Sequence, residues 1–152
     1  GVLFLALGKK GLHHAGRHQW WQAENMFTEA FSCWHQMKWI EHFRYDQAVA
    51  FGEEIIALMR DICLSWGNLL LSHGQFDEAL AICTHTEHLL TMDEDCVALR
   101  YRLYLLNKAP LKARELLGSY RRELIHLGYE KDEAEEMISD LVRDNDEKSF
   151  SD

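Results

Sequence analysis

The sequence predicts an all-α protein, a stack of about three antiparallel helical hairpins closed by a C-terminal capping helix. Three observations carry that expectation. A hairpin signature is written twice at one spacing, Trp66-Gly67…Gly74-Gln75-Phe76-Asp77-Glu78-Ala79 and then Lys108…Ala113, with Ala79 and Ala113 34 residues apart. Apolar residues keep a 3.6-residue period over long stretches, as at Ile55, Ile56, Leu58, Met59, Ile62, Cys63, Trp66, Leu69 and Leu70. The chain has 152 residues and a single Pro, so it is long enough to bury a core and poor in turn punctuation.

A period of 34 residues belongs to tetratricopeptide-type repeats, whose units are helix pairs that cannot bury their apolar faces alone. The first helix is expected over Leu3 to Ala15 and the second from His18 to Met37, with Trp20, Ala23, Phe27, Ala30, Phe31 and Trp34 on one face. Ala23 then corresponds to Ala79, and Gly11 to Gly67. The distance from Ala23 to Ala79 is 56 residues, one period plus 22, so the array is interrupted between roughly Lys38 and Met59. After a loop at Trp39 to Arg44, a long helix should run from Asp46 to Ser72.

Gly67 facing Ala79 would let this helix and the next approach closely. Gly74 suits the left-handed residue just past a helix, and Phe76-Asp77-Glu78 opens the following helix with carboxylates near the positive end of its dipole. That helix is expected to reach Leu90. Thr91 or Asp93 caps a further one, running to Leu106. Pro110 fits a first helical position, where its missing N–H costs nothing. Leu111 to Leu127 closes on Gly128, and Asp132 to Val142 caps the stack. The expected organisation is one helical repeat domain over 1–143 followed by an acidic, frayed tail at 144–152.

Charge narrows the function. The net charge is −9, and residues 130–152 hold ten acids against three bases, which leaves only −2 for the rest. Such a chain is not expected to bind nucleic acid by itself, since phosphate neutralisation needs a basic face. Arg100, Arg102, Lys108, Lys112, Arg114, Arg121 and Arg122 cluster near one hairpin, where Glu115 and Glu123 stand as their expected partners. Val2 to Leu7 is too short an apolar run to span a bilayer or serve as a signal segment. Cys33, Cys63, Cys83 and Cys96 lie singly within helical patterns, as reduced core cysteines of a cytoplasmic protein do. Gly1 in place of an initiator Met suggests a piece of a longer protein.

No catalytic arrangement emerges. His85-x-x-His88 beside Cys83 and Glu87 is conceivable as a metal site, yet its histidines lack H-E-x-x-H spacing and His85 points away from the face of Ala79 and Ile82. No G-x-S-x-G and no phosphate loop appears. The expectation is a non-enzyme without cofactor or metal that holds another protein. Partner-binding candidates are Arg60, Asn68 and Arg102, with Ser65, Leu71, Ser72 and Leu105, on the first helices of the hairpins. Trp20, Trp21 and Trp34 are the alternative, as a two-fold contact between copies. The repeat itself is defined by Gly67, Gly74, Phe76, Ala79, Ala113 and Gly128.

From Leu58 to Leu141 the sequence resembles the bacterial transcriptional activator domain, the tetratricopeptide-like module of antibiotic-regulatory-type activators. The resemblance rests on Gly74-Gln75-Phe76-Asp77-Glu78-Ala79-Leu80, on Glu94-Asp95…Leu99-Arg100…Leu103…Leu106, on Ala113…Tyr120-Arg121-Arg122-Glu123-Leu124 and on Leu127-Gly128-Tyr129-Glu130. It departs at Lys131, where the family usually has Pro, and at Tyr101, where it has a small residue. The resemblance implies a regulator fragment that supports dimerisation or contacts with the transcription machinery, its winged-helix DNA-binding domain lying outside this chain. A stand-alone adaptor that takes a peptide or helix in a concave groove is the other interaction reading.

Overall fold

The computed structural model describes residues 2–35, 45–87 and 89–151. Among them there are seven helices and no strand: α1 (Val2–Gly16), α2 (Trp20–His35), α3 (Tyr45–Ser72), α4 (Phe76–Thr86), α5 (Glu94–Leu106), α6 (Pro110–His126) and α7 (Lys131–Ser151). The loop expected at 39–44 lies outside the described residues.

One corner recurs. After α1, α3 and α5 the chain takes a left-handed residue, His18 (φ 59°), Gly74 (φ 75°) and Lys108 (φ 58°). In each case the next residue donates its N–H back to the carbonyl five before it: Gln19 to His14 at 2.8 Å, Gln75 to Leu70 at 2.8 Å and Ala109 to Tyr104 at 2.8 Å. The left-handed residue itself bonds three back, to Ala15, Leu71 and Leu105, which completes a Schellman motif each time. The following helix starts at once, and its first backbone bonds come from Ala23, Ala79 and Ala113, at 3.0, 3.1 and 3.1 Å. All three alanines are buried to within 1 %. A helix that leaves a corner with no spacer residue passes close to the helix before it, and only a methyl fits there. Gly128 (φ 106°) and Ala134 repeat the corner between α6 and α7 with one residue added, and Glu133 accepts the Glu130 N–H at 3.0 Å.

His18 therefore does not begin the second helix as expected, because its backbone is the left-handed terminus of the first. Phe76, Pro110 and Gly128 take the positions expected of them. Asp93, not Thr91, is the N-cap of α5, its carboxylate accepting the Cys96 N–H at 3.0 Å. Asp93→Ala should cost about 1 kcal/mol in urea unfolding, with Asp93→Asn losing much less.

Two helix ends differ from expectation. α4 stops at Thr86 and does not reach Leu90; bonds from Glu87 to Thr84 and from Leu89 to Thr86 tighten the backbone into three-residue turns. Thr86 is buried, with its hydroxyl turned onto the Ile82 and Cys83 carbonyls, both at 3.2 Å. α7, in turn, continues past Val142 to Ser151, so the acidic segment 144–151 is helical. The buried stripe Ala134, Ile138, Leu141 extends one turn to Asn145, 7 % exposed.

Contacts cluster into two compact units, residues 1–66 and 67–152. In the first, α1 packs on α2 and the side of α3 that carries Ile55, Leu58, Met59 and Ile62 is buried. Glycines set the spacing. A methyl placed on Gly11 would fall 2.5 Å from the Phe27 ring, and one on Gly8 would fall 2.7 Å from Leu58 Cδ2. Phe27 and Phe31 both lie against the Trp66 ring, at 5.7 and 5.8 Å between centroids. Gly52–Ser72 within α3 is long and apolar enough to cross a membrane by length and composition, with a mean hydropathy of 1.3. Its buried positions recur at helical spacing while Glu53, Glu54, Asp61 and Asn68 are exposed, the pattern of an amphipathic helix with one side against the rest of the protein.

In the second unit α5 is central: it packs on α4, α6 and α7, and α6 packs on α7. Val97, Leu116, Tyr120, Leu124, Ala134, Ile138 and Leu141 form its core cluster. Gly67 opens onto Leu99 of α5, 2.8 Å from where a methyl would sit, and not onto Ala79 as its spacing suggested. The close approach joins α3 to α5, which sequence separation alone does not reveal.

Burial raises the Tyr120 phenol above its ordinary value of 10.0, helped by the negative charge of Glu94, the neighbouring Tyr129 and Asp93. A proton held more tightly in the folded state stabilises it fully below pH 10, and that contribution is lost as the pH climbs through the raised value. Stability should therefore fall above about pH 10, and Tyr120→Phe should flatten that fall in urea midpoints measured across the alkaline range.

Candidate interaction surfaces

The expected partner-binding residues occupy different environments. Trp21 is 75 % exposed on α2. Around it the helix shows Asn25, Thr28 and Ser32, and both hydroxyls turn inward, Thr28 to the Glu24 carbonyl at 2.8 Å and Ser32 to the Thr28 carbonyl at 3.1 Å. The result is a weakly charged face with one large aromatic anchor, and little hydration to strip. Trp20 is half-buried, with its ring edge to His18 at 6.3 Å between centroids. The side chain of Trp34 lies outside the described residues. Arg60 is half-buried, 3.6 Å from Asp61, while Arg102 is half-buried on α5 and Asn68 exposed on α3.

The basic cluster is partnered differently from the sequence expectation. Arg100 bonds to Glu87 at 3.0 Å, and Arg121 to Glu135 of α7 at 3.3 Å, where Glu115 and Glu123 on the neighbouring helix face were the expected partners. Packing decides this. The end of α4 lies against α5, and α7 against α6, so carboxylates distant in sequence arrive before the local ones.

Beside the Arg100–Glu87 pair runs a groove of about 430 Å³. Arg100 and Tyr104 come to it from α5, Lys112, Glu115 and Ser119 from α6, and Thr91 from the turns after α4. Arg100 is held in place, its side chain 15 % exposed. Lys112 and Glu115 have no charged partner among the described residues, although they are one helical turn apart. Arg100 and Lys112 fall in one basic cluster by sequence, whereas nothing in the sequence joins Glu87, Thr91, Tyr104 and Ser119 to them. The early end of α4 was the missing piece, and nothing at Leu89 or Leu90 announces it.

Among the described residues no group of three or more His, Cys, Asp or Glu is arranged to hold a metal ion. His85 is exposed, and His88 lies outside the described residues. The cysteines form no disulfide; Cys63, Cys83 and Cys96 are buried and Cys33 is half-buried.

The class that the fold defines is all-α, built from helices joined by sharp, closely packed corners. Set against models of protein families, curated proteins and solved structures, the chain matches none of them.

Proposed function

We propose that this chain is a non-catalytic, tetratricopeptide-like repeat module that works in the cytoplasm by contacting protein. The observation that carries the reading is the corner itself, recurring at His18–Ala23, Gly74–Ala79 and Lys108–Ala113 with the same two backbone bonds and the same buried alanine. The packing in the second unit agrees, because α5 meets its hairpin partner α6, the preceding α4 and the following α7, while Gly67 of α3 meets Leu99. Stacked hairpins would bring first helices together in this way, which supports the reading. Stacked repeats of this kind present extended surfaces suited to holding a partner.

The more specific proposal is an interaction or oligomerisation module of a bacterial transcriptional regulator, with DNA bound only by a winged-helix domain outside this sequence. It is supported by the resemblance of Gly74–Leu80, Glu94–Leu106 and Ala113–Leu124 described above. The complete gene product then carries that domain, and a complete product without it removes the regulator assignment. Self-association through the Trp21 face is tested by light scattering: a dimer that Trp21→Ala dissociates supports it, and a monomer at every concentration overturns it. The groove between α5 and α6 favours the adaptor reading as the alternative, in which the module takes a peptide of another protein.

A further inference from the structure

We propose that the groove beside α6 binds an extended peptide segment of a partner protein, one that sets an acidic side chain against Lys112 and a basic one against Glu115. The inference rests on the protein-contact reading above and names what one of its surfaces takes. The groove opens where the repeat is broken: α4 ends at Thr86, and the chain passes through Glu87 and Thr91 in tight turns. A departure from local regularity of this kind is where binding sites tend to sit. The groove is open to solvent along one side, and its volume of about 430 Å³ has room for a few residues of an extended chain.

The chemistry selects the occupant. Arg100 and Glu87 neutralise each other at 3.0 Å and form a fixed wall. What remains open is one cation, Lys112, and one anion, Glu115, so a ligand of mixed charge complements the groove. A phosphate or a nucleic-acid backbone would meet Glu115 and Glu87 as well as Lys112, in a chain of net charge −9. The hydroxyls point the same way. Ser72 and Thr84 turn theirs onto the carbonyls of Leu69 and Leu80, at 2.6 and 2.9 Å, whereas the hydroxyls of Thr91, Tyr104 and Ser119 bond to no protein group among the described residues. Peptide backbone offers a donor and an acceptor at nearly every residue, which hydroxyls along a groove can serve. Leu116 supplies an apolar floor for a side-chain stem.

The test is NMR on the ¹⁵N-labelled chain with capped alanine-based hexapeptides that carry one Asp and one Lys, in both orders and at several spacings. At least one mixed-charge peptide should move the amides of Arg100, Tyr104, Lys112 and Ser119. In the double variant Lys112→Glu/Glu115→Lys the same peptide should bind about fivefold or more weakly, and the peptide of opposite charge order should become the better ligand. Both positions are exposed, so far-UV circular dichroism should show the variant folded. Absence of these shifts at millimolar peptide overturns the proposal, as do equal shifts from Asp-only or Lys-only peptides or from the free amino acids. Light scattering on the same sample reads self-association separately, so failure of the groove is told apart from failure of the protein-contact reading.

Discussion

Replacing Phe27 by alanine should lower the stability of the chain by about 3–5 kcal/mol, the largest effect of any substitution considered for the first unit. The ring is fully buried, lies 5.7 Å from the Trp66 ring and fills the space that Gly11 leaves by lacking a side chain. Removing it opens a cavity between helices whose spacing the ring itself sets, so little collapse can follow. Every Trp of the chain lies between residues 20 and 66, which makes tryptophan fluorescence in urea a direct monitor. The midpoint should drop and the near-ultraviolet circular dichroism of Trp66 should weaken. A loss below about 1 kcal/mol would show that the Phe27 ring is not the packing centre described.

Leu124→Ala should cost about 2–5 kcal/mol, read by far-ultraviolet circular dichroism. Leu124 is 2 % exposed in the cluster that joins α5, α6 and α7, and its carbonyl accepts the Tyr129 N–H at the α6–α7 corner. The isosteric control is Leu124→Met, which keeps volume and should cost under about 1.5 kcal/mol. A loss from Leu124→Ala no larger than the small one expected of Leu124→Met would mean that the site tolerates a void.

What could be read from sequence divides along physical lines. Period, capping and turn chemistry are local, and they placed α3, α5 and α6 to within a residue or two: Pro110 at its helix start, Asp93 among the caps, Gly74 and Gly128 at left-handed termini. His18 and Lys108 escaped notice because the left-handed region disfavours side chains, so nothing in their identity signals it. Only the recurrence of alanine five residues later gives them away, at Ala23 and Ala113. Gly67 is a close-approach residue as its type suggests, but its neighbour is Leu99 and not Ala79, since which helix it meets depends on contacts distant in sequence. The same limit hid the groove. Glu87 and Arg100 lie on different elements, and their 3.0 Å bond arises only once α4 has ended early against α5. The acidic C-terminal segment is helical as far as Ser151, and its charge alone does not signal that Asn145 is buried one turn beyond Leu141.

The repeated corner is the central claim, and Lys108→Gly tests it most directly because the sign of the effect differs between structures. At a left-handed helix terminus glycine removes a steric cost, and urea unfolding should show a gain of about 0.5–1 kcal/mol, with His18→Gly behaving alike and Gly74→Ala losing about 1 kcal/mol. If residues 106–111 formed continuous helix instead, Lys108→Gly would lose about 1 kcal/mol. A gain at both His18 and Lys108 is the result expected of three equivalent corners; a loss at either contradicts them.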